Sequence, residues 1–219
     1  MSLALPGATK RRAADVAYDA IESMVSTLQL APGSPVVEGE IAERTGLGRT
    51  PVREALLRMV SIGLIVPQPR RGLLVSSIDL GEHLDVILTR RALECLIAAC
   101  SARRATQPQR KEILRCADRM VKAATRGRLD QYMDADQALD IANHHASQNR
   151  SAVNAVQPLV VQCRRFWYAY QHEGDITEGA RAHMQLAEGI DSGNEASAIA
   201  GAQQLMDYLE RFARRVIDK

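Results

Sequence analysis

Between Ala13 and Gln29 the apolar residues Val16, Ala20, Ile21, Met24, Val25 and Leu28 recur three and four places apart, the spacing of one face of an α-helix. "LAPGSPV" then interrupts the pattern with a Pro-Gly turn signal. "VEGEIAERTG" predicts a short second helix closed by Gly46. "LGRTPVREALLRMVSIG" predicts a third, with Val52, Ala55, Leu56 and Met59 on one face. Thr50 is its expected N-cap and Pro51 its first helical residue, where a missing N–H costs nothing. After Gly63 the period changes. "LIVPQPRRGLLVSS" sets β-formers on both sides of "PQPRRG", the pattern of a hairpin with a basic tip.

From Asp79 onward the pattern is helical throughout. Six segments follow one another: 79–104, 107–127, 129–149, 151–172, 177–193 and 195–219. Pro158 stands near enough to the start of the fourth to begin or kink it. Short connections between helices of this length predict an antiparallel bundle of about six helices. The expected fold is therefore all-α with a small β-hairpin wing. A winged helix-turn-helix occupies residues 13–77, a helical bundle residues 78–219, and residues 1–12 form a polar, disordered N-terminal segment.

Composition narrows the class without deciding it. Hydrophobic residues make up 46% of the 219 and charged residues 25%, enough apolar material for a real core. Aromatics are only 4%, and four of them crowd into "FWYAY", so aliphatic side chains must do most of the packing. None of the four cysteines shows C-x-x-C spacing, which argues against a zinc knuckle or redox motif and for buried thiols in a reducing compartment. No apolar run reaches membrane-spanning length and no signal-peptide core is present, so a cytoplasmic protein without membrane attachment is expected. The net charge is +2. Residues 1–77 carry 9 Lys/Arg against 7 Asp/Glu, and the rest is balanced, so placement of the arginines must carry any case for nucleic acid.

That placement is specific. A helix-turn-helix protein sets the first residues of its second motif helix in the major groove of double-stranded DNA. Arg49 and Arg53 lie one turn apart beside the apolar face, and Thr50 between them offers a hydroxyl. Arginine can fork onto guanine or clamp a phosphate. Arg70, Arg71 and Gly72 at the hairpin tip suit the minor groove or the backbone. The alternative is that Arg49, Arg53 and Arg58 only solvate a helix face.

"LAPGSPVVEGEIAERTGLGRTPVREALLRMVSIGLIVPQPRRGLLV" resembles the N-terminal domain of GntR-type bacterial transcription regulators, and "RTPVREAL" is a specific part of the match. The resemblance implies operator contacts from Arg49, Thr50, Arg53 and Gly72. Gly48 departs from it, since a Ser or Thr is usual there, and so does Gly39, in a slot that often holds a polar side chain. The remainder resembles the all-helical FCD effector domain of the FadR-like branch, through "RRALE", "DADQALDIANHHASQN" and "RAHMQLAEGIDSGN". That likeness implies a homodimer on a two-fold operator. It also implies a small carboxylate effector bound inside the bundle, with Arg90, Asn149 and Tyr208 as effector-binding residues. Ligand-relieved repression is the default expectation.

Many members of that branch hold a divalent metal through one Asp and three His. Here Asp136 and His183 match, Asp140 stands where a His is expected, and the last His position falls on Leu205 or, preferably, Tyr208. The site is degenerate, with room for Zn, Ni, Mn or Mg. Spacing alone puts Asp136 and Asp140 one turn apart on the same face. Two carboxylates forced together need a cation, a shared proton or water. A metalloenzyme built on Asp136, Asp140 and His183 is the main rival reading, but no nucleophile–base pair, phosphate loop or H-E-x-x-H motif accompanies them. A protein whose DNA head has lost function is the other. No catalytic residue is assigned.

Overall fold

The computed structural model describes residues 11–219. The chain divides into two compact units between Ile78 and Asp79. The segment expected to be disordered lies outside the described residues apart from its last two. Arg11 and Arg12 are tied down, by Asp19 and Glu54 respectively, each at 2.6 Å.

The first unit runs α1 (Ala13–Ser26), β1 (Pro35–Val36), α2 (Glu38–Thr45), α3 (Arg49–Ser61), β2 (Ile65–Gln68) and β3 (Gly72–Val75). The apolar stripe of α1 packs on that of α3. Ile21, Val25, Ile41, Val52, Leu56, Met59 and Ile65 are buried between the elements, each contributing about 1.5–3 kcal/mol over an exposed side chain. α2 ends where expected, with Gly46 in the left-handed conformation. β2 and β3 pair antiparallel with Gln68 opposite Gly72, which leaves Pro69, Arg70 and Arg71 as the tip. β1 joins the far side of β3, with Pro35 opposite Leu74, giving the order β1-β3-β2. This strand is not readable from periodicity because two residues have no period. Its proline sits on an edge, where no ladder donor is required.

The expected start of α3 needs correction. Gly48, not Thr50, is the N-cap, and Thr50 and Pro51 lie inside the first turn. The proline is still free of penalty, because the first four N–H groups of any helix lack intrahelical partners.

The second unit holds α4 (Leu80–Arg104), α5 (Gln107–Thr125), α6 (Leu129–Ser147), α7 (Arg150–Ala169), α8 (Ile176–Asp191) and α9 (Glu195–Ile217), with a short 3₁₀ turn at Gln171–Glu173. These are the six expected helices. Acidic or amide caps fix several starts: Asp79 accepts from Gly81 and Glu82 N–H, and Asp175 accepts from Thr177 and Glu178 N–H. α4 packs against α6, α7, α8 and α9, α8 against α9, and α5 against α6 and α8. Pro158 falls nine residues into α7 and neither begins it nor ends it. Cys100, Cys116 and Cys163 are buried free thiols. No helix among the described residues is long and apolar enough to cross a membrane.

Candidate nucleic-acid interface and effector cavity

In the first unit, the three-residue turn Gly46–Gly48 joins α2 to α3, and the start of α3 is solvent-facing. Arg49, Thr50 and Arg53 are all exposed. Arg53 is not idle. Its Nε and Nη2 grip the Glu38 carboxylate from the start of α2, the shortest contact being 2.7 Å. That hydrogen bond pulls the Glu38 carboxyl below its ordinary range. Arg49 extends over α2, and a Cβ added at Gly39 would meet its Nη2 at 3.9 Å. That is an ordinary contact, so a side chain at position 39 would lie against the guanidinium. Arg58 belongs elsewhere: it bonds Asp15 at 3.0 Å and lies over the Tyr18 ring, tying α3 to α1. At the wing, Arg70 and Gly72 both have positive φ (65° and 77°), which turns the tip sharply and leaves Arg70, Arg71 and Gly72 exposed.

In the second unit, five helices line a cavity of about 30 Å³. That is room for one or two waters and not for a metabolite. Arg90 enters from α4, Asp136 and Asp140 from α6, Arg164 and Trp167 from α7, His183 from α8 and Tyr208 from α9. Helical spacing aims Asp136 and Asp140 inward together, as the sequence predicts. What lies between them was not anticipated. Arg164 donates from Nε to Asp136 at 2.8 Å and from Nη2 to Asp140 at 2.6 Å. The two carboxylates therefore share a cation supplied by the chain itself.

His183 completes the cluster. Its Nε2 lies 3.1 Å from the other Asp136 oxygen, and its Nδ1 lies 2.8 Å from the Gly179 carbonyl. Both partners offer acceptor oxygens, an arrangement that favours the protonated ring. Burial opposes the charged ring, but the Asp136 hydrogen bond and charge outweigh it and raise the His183 pKa. Burial likewise opposes the Asp136 charge, yet Arg164 and His183 hold its carboxyl well below the usual range. Asp140, desolvated and beside Asp136, is pushed up despite Arg164. Gly179 has a steric role as well, since a Cβ there would fall 2.5 Å from the Tyr132 hydroxyl.

The other expected effector residues separate. Arg90 lines the cavity, but its Nε bonds Glu94 of its own helix at 2.9 Å, and both are buried. Tyr208 lines it too; its hydroxyl accepts from Trp167 Nε1 at 2.9 Å and donates to the Asp175 carbonyl at 3.2 Å. Asn149 is elsewhere. It caps α7 by accepting from Ala152 N–H at 3.2 Å, and it does not line this cavity. Arg164 is the residue that sequence reading passed over. Its signal was a charged residue on the same stripe of α7 as Val160 and Trp167, opposite two acids spaced for one face.

The present donors do not fit a divalent metal. Such an ion takes deprotonated ligands at about 2.0–2.2 Å. Both aspartates already serve a guanidinium, the two His183 ring nitrogens already face an Asp136 oxygen and the Gly179 carbonyl, and Tyr208 is committed to Trp167 and Asp175. Among the described residues no group of three His, Cys, Asp or Glu side chains is placed to hold a metal.

Comparison with known proteins agrees with both units. The family model for bacterial regulatory proteins of the gntR family matches residues 13–75, and the FCD domain matches residues 85–208. The HTH-type transcriptional repressor RspR of Escherichia coli (strain K12) is 32% identical over 188 residues, 85% of this chain and 82% of that repressor. The HTH-type transcriptional regulator McbR of the same strain is 24% identical over 142 residues, 65% of this chain and 64% of its own length. Among solved structures, Escherichia coli McbR/YncC has the same fold, with a TM-score of 0.80 at 18% identity, covering 94% of this chain and 99% of that one. A putative GntR regulator from Rhodococcus sp. RHA1 follows at a TM-score of 0.64 and 17% identity, covering 94% and 97%. The chain belongs to the gntR family of bacterial regulatory proteins, in the branch that carries an FCD domain, and is a DNA-binding transcriptional regulator and not an enzyme.

Proposed function

We propose that this regulator is a cytoplasmic repressor that binds a two-fold operator as a homodimer and releases it when a small organic acid enters the helical bundle. The observation that carries the DNA contact is the exposed first turn of α3, where Arg49, Thr50 and Arg53 surround free helix N–H groups. Arg70, Arg71 and Gly72 at the wing add a second, basic contact. The Arg53–Glu38 pair is exposed, so a phosphate or guanine can take the guanidinium at small cost. Two copies of the arginine set offset the modest net charge.

Support for the dimer comes from α4, where Leu88, Ala92 and Leu96 form an exposed stripe at i, i+4, i+8. Support for effector control comes from the cavity. It is lined by charged and aromatic side chains and holds room for only one or two waters, so a metabolite bound there would have to move its walls. That difference in affinity between two arrangements is what a switch requires. The acid class rests on the family resemblance, with Arg90 as the side chain that meets the carboxylate once Glu94 is released.

Electrophoretic shift with DNA from the intergenic region upstream of the gene tests the reading. Replacing both Arg49 and Arg53 by Ala should weaken the shift about a hundredfold or more. Unchanged binding would remove α3 from the interface.

A further inference from the structure

We propose that Arg164 takes a metal's place in this bundle: its guanidinium, and not a divalent ion, holds Asp136, Asp140 and His183 together, so the effector unit works without metal. Three observations carry this. The first is position. Arg164 reaches both carboxylates at once, at 2.8 and 2.6 Å, from a helix that faces α6 across the cavity, and its side chain is 6% exposed. A metal bridging the same oxygens would lie within van der Waals reach of the guanidinium, with nothing between two buried cations.

The second is donor chemistry. His183 has an acceptor on each ring nitrogen, Asp136 at 3.1 Å and the Gly179 carbonyl at 2.8 Å. A ligating imidazole needs one nitrogen bare. The Nε2 of His183 is already hydrogen-bonded to the very carboxylate with which it would share a metal. The third is charge. The Arg164 guanidinium already sets a buried positive charge between Asp136 and Asp140. A divalent ion on the same oxygens would place a second buried cation against it, which is unfavourable.

The acid at position 140 gains a meaning from this pairing. It is the second counter-ion of a buried arginine and not a harder metal ligand. A histidine there would set a third cation or a bare base against Arg164. Asp140 and Arg164 therefore act as a pair, whatever the effector proves to be.

The test uses untagged full-length protein from cells grown with added zinc, nickel and manganese. Mass spectrometry should find below about a tenth of an equivalent of any divalent metal per chain, and EDTA, zinc or manganese should move Tm by less than about 1 °C. About half an equivalent or more that disappears in Asp136→Asn, or a fall in Tm of about 3 °C or more with EDTA, overturns the proposal. Arg164→Gln provides the converse. Freed of the guanidinium, Asp136 and Asp140 should accept zinc or manganese and raise Tm by about 3 °C or more, an effect lost when Asp136→Asn is added. A folded Arg164→Gln whose Tm ignores both metals also overturns it. Where Arg164→Gln does not fold with or without metal, Arg164→Lys decides, because it keeps the charge. That variant should fold and stay metal-free, and stoichiometric zinc binding by it counts against the assignment.

Discussion

Arg53 in α3 and Arg164 in α7 each make charge-assisted hydrogen bonds to carboxylates, at 2.7 and 2.6 Å at their shortest, yet the first side chain is 65% exposed and the second 6%. The difference sets what each can do. An exposed pair is screened by water and salt, so Arg53 can leave Glu38 for a more highly charged partner. A buried guanidinium has lost its hydration and cannot leave its partners without stranding charge in the interior. The same residue type is thus an exposed, exchangeable cation in one unit and part of the framework in the other. Arg58 falls between them, paired with Asp15 and packed on Tyr18.

Replacement of each arginine is the largest test of that contrast. Arg164→Met should destabilise the second unit by about 3–5 kcal/mol, because two buried carboxylates lose their counter-ion. Arg53→Ala should leave the unfolding midpoint unchanged while weakening DNA binding. Trp167 is the only tryptophan and stands beside the network, so its fluorescence in urea reports on the second unit alone. Equal midpoints for Arg164→Met and the parent protein would show that the buried network is not holding the bundle.

The sequence revealed one side of this contrast better than the other. Helix periodicity, the Pro-Gly turn and the basic hairpin tip are local signals, and they located α1 to α9 and the wing. The arginines proposed to contact DNA stood out because they sit in a short motif whose spacing is itself the message. Arg164 was not, because an arginine has no local mark of burial. Its meaning lies in Asp136 and Asp140, 24 to 28 residues away on another helix. Asn149 shows the opposite case: a polar residue in a family motif serves in the fold as a helix cap. Thr50 failed because capping depends on backbone angles, and Gly48 is the residue in the extended conformation.

Two buried histidines sharpen the contrast within the second unit. His83 stacks on Phe166 with ring centroids 3.6 Å apart, and burial together with Arg90 pushes its pKa down from 6.5 to about 4. The folded state then binds fewer protons than the unfolded chain between those values, so stability falls as pH drops from 6.5 toward 4. His183 is raised, so its contribution is complete below 6.5 and is lost as pH rises through its folded value. His83→Gln should therefore flatten the acid side of the stability profile, by up to about 1.4 kcal/mol per pH unit. His183→Gln should flatten only the side above 6.5. Urea unfolding at half-unit pH steps separates the two, and a shared window for both variants would contradict the opposite environments assigned to them.

The smallest effect expected is on the exposed side, at the residue where the motif departs from its family. Gly48 caps α3 with φ −67° and ψ 158°, angles open to any residue, and provides no side-chain acceptor for the first-turn N–H groups. An added Cβ would meet only Pro51, at 3.6 Å, an ordinary contact. Gly48→Ser should therefore be accepted without strain and should stabilise the first unit by a few tenths of a kcal/mol. Position 48 is exposed beside Arg49 and Thr50, so where DNA is bound the added hydroxyl should be free to turn to a phosphate. Operator affinity should rise severalfold with little change in salt dependence, because a neutral hydroxyl displaces no counter-ion. Arg71→Ala should do the reverse, reducing the slope of log affinity against log salt by about 1 for each copy that meets a phosphate. If Gly48→Ser instead weakens binding, the backbone at position 48 approaches the DNA too closely to admit a side chain, and the glycine is itself part of the contact.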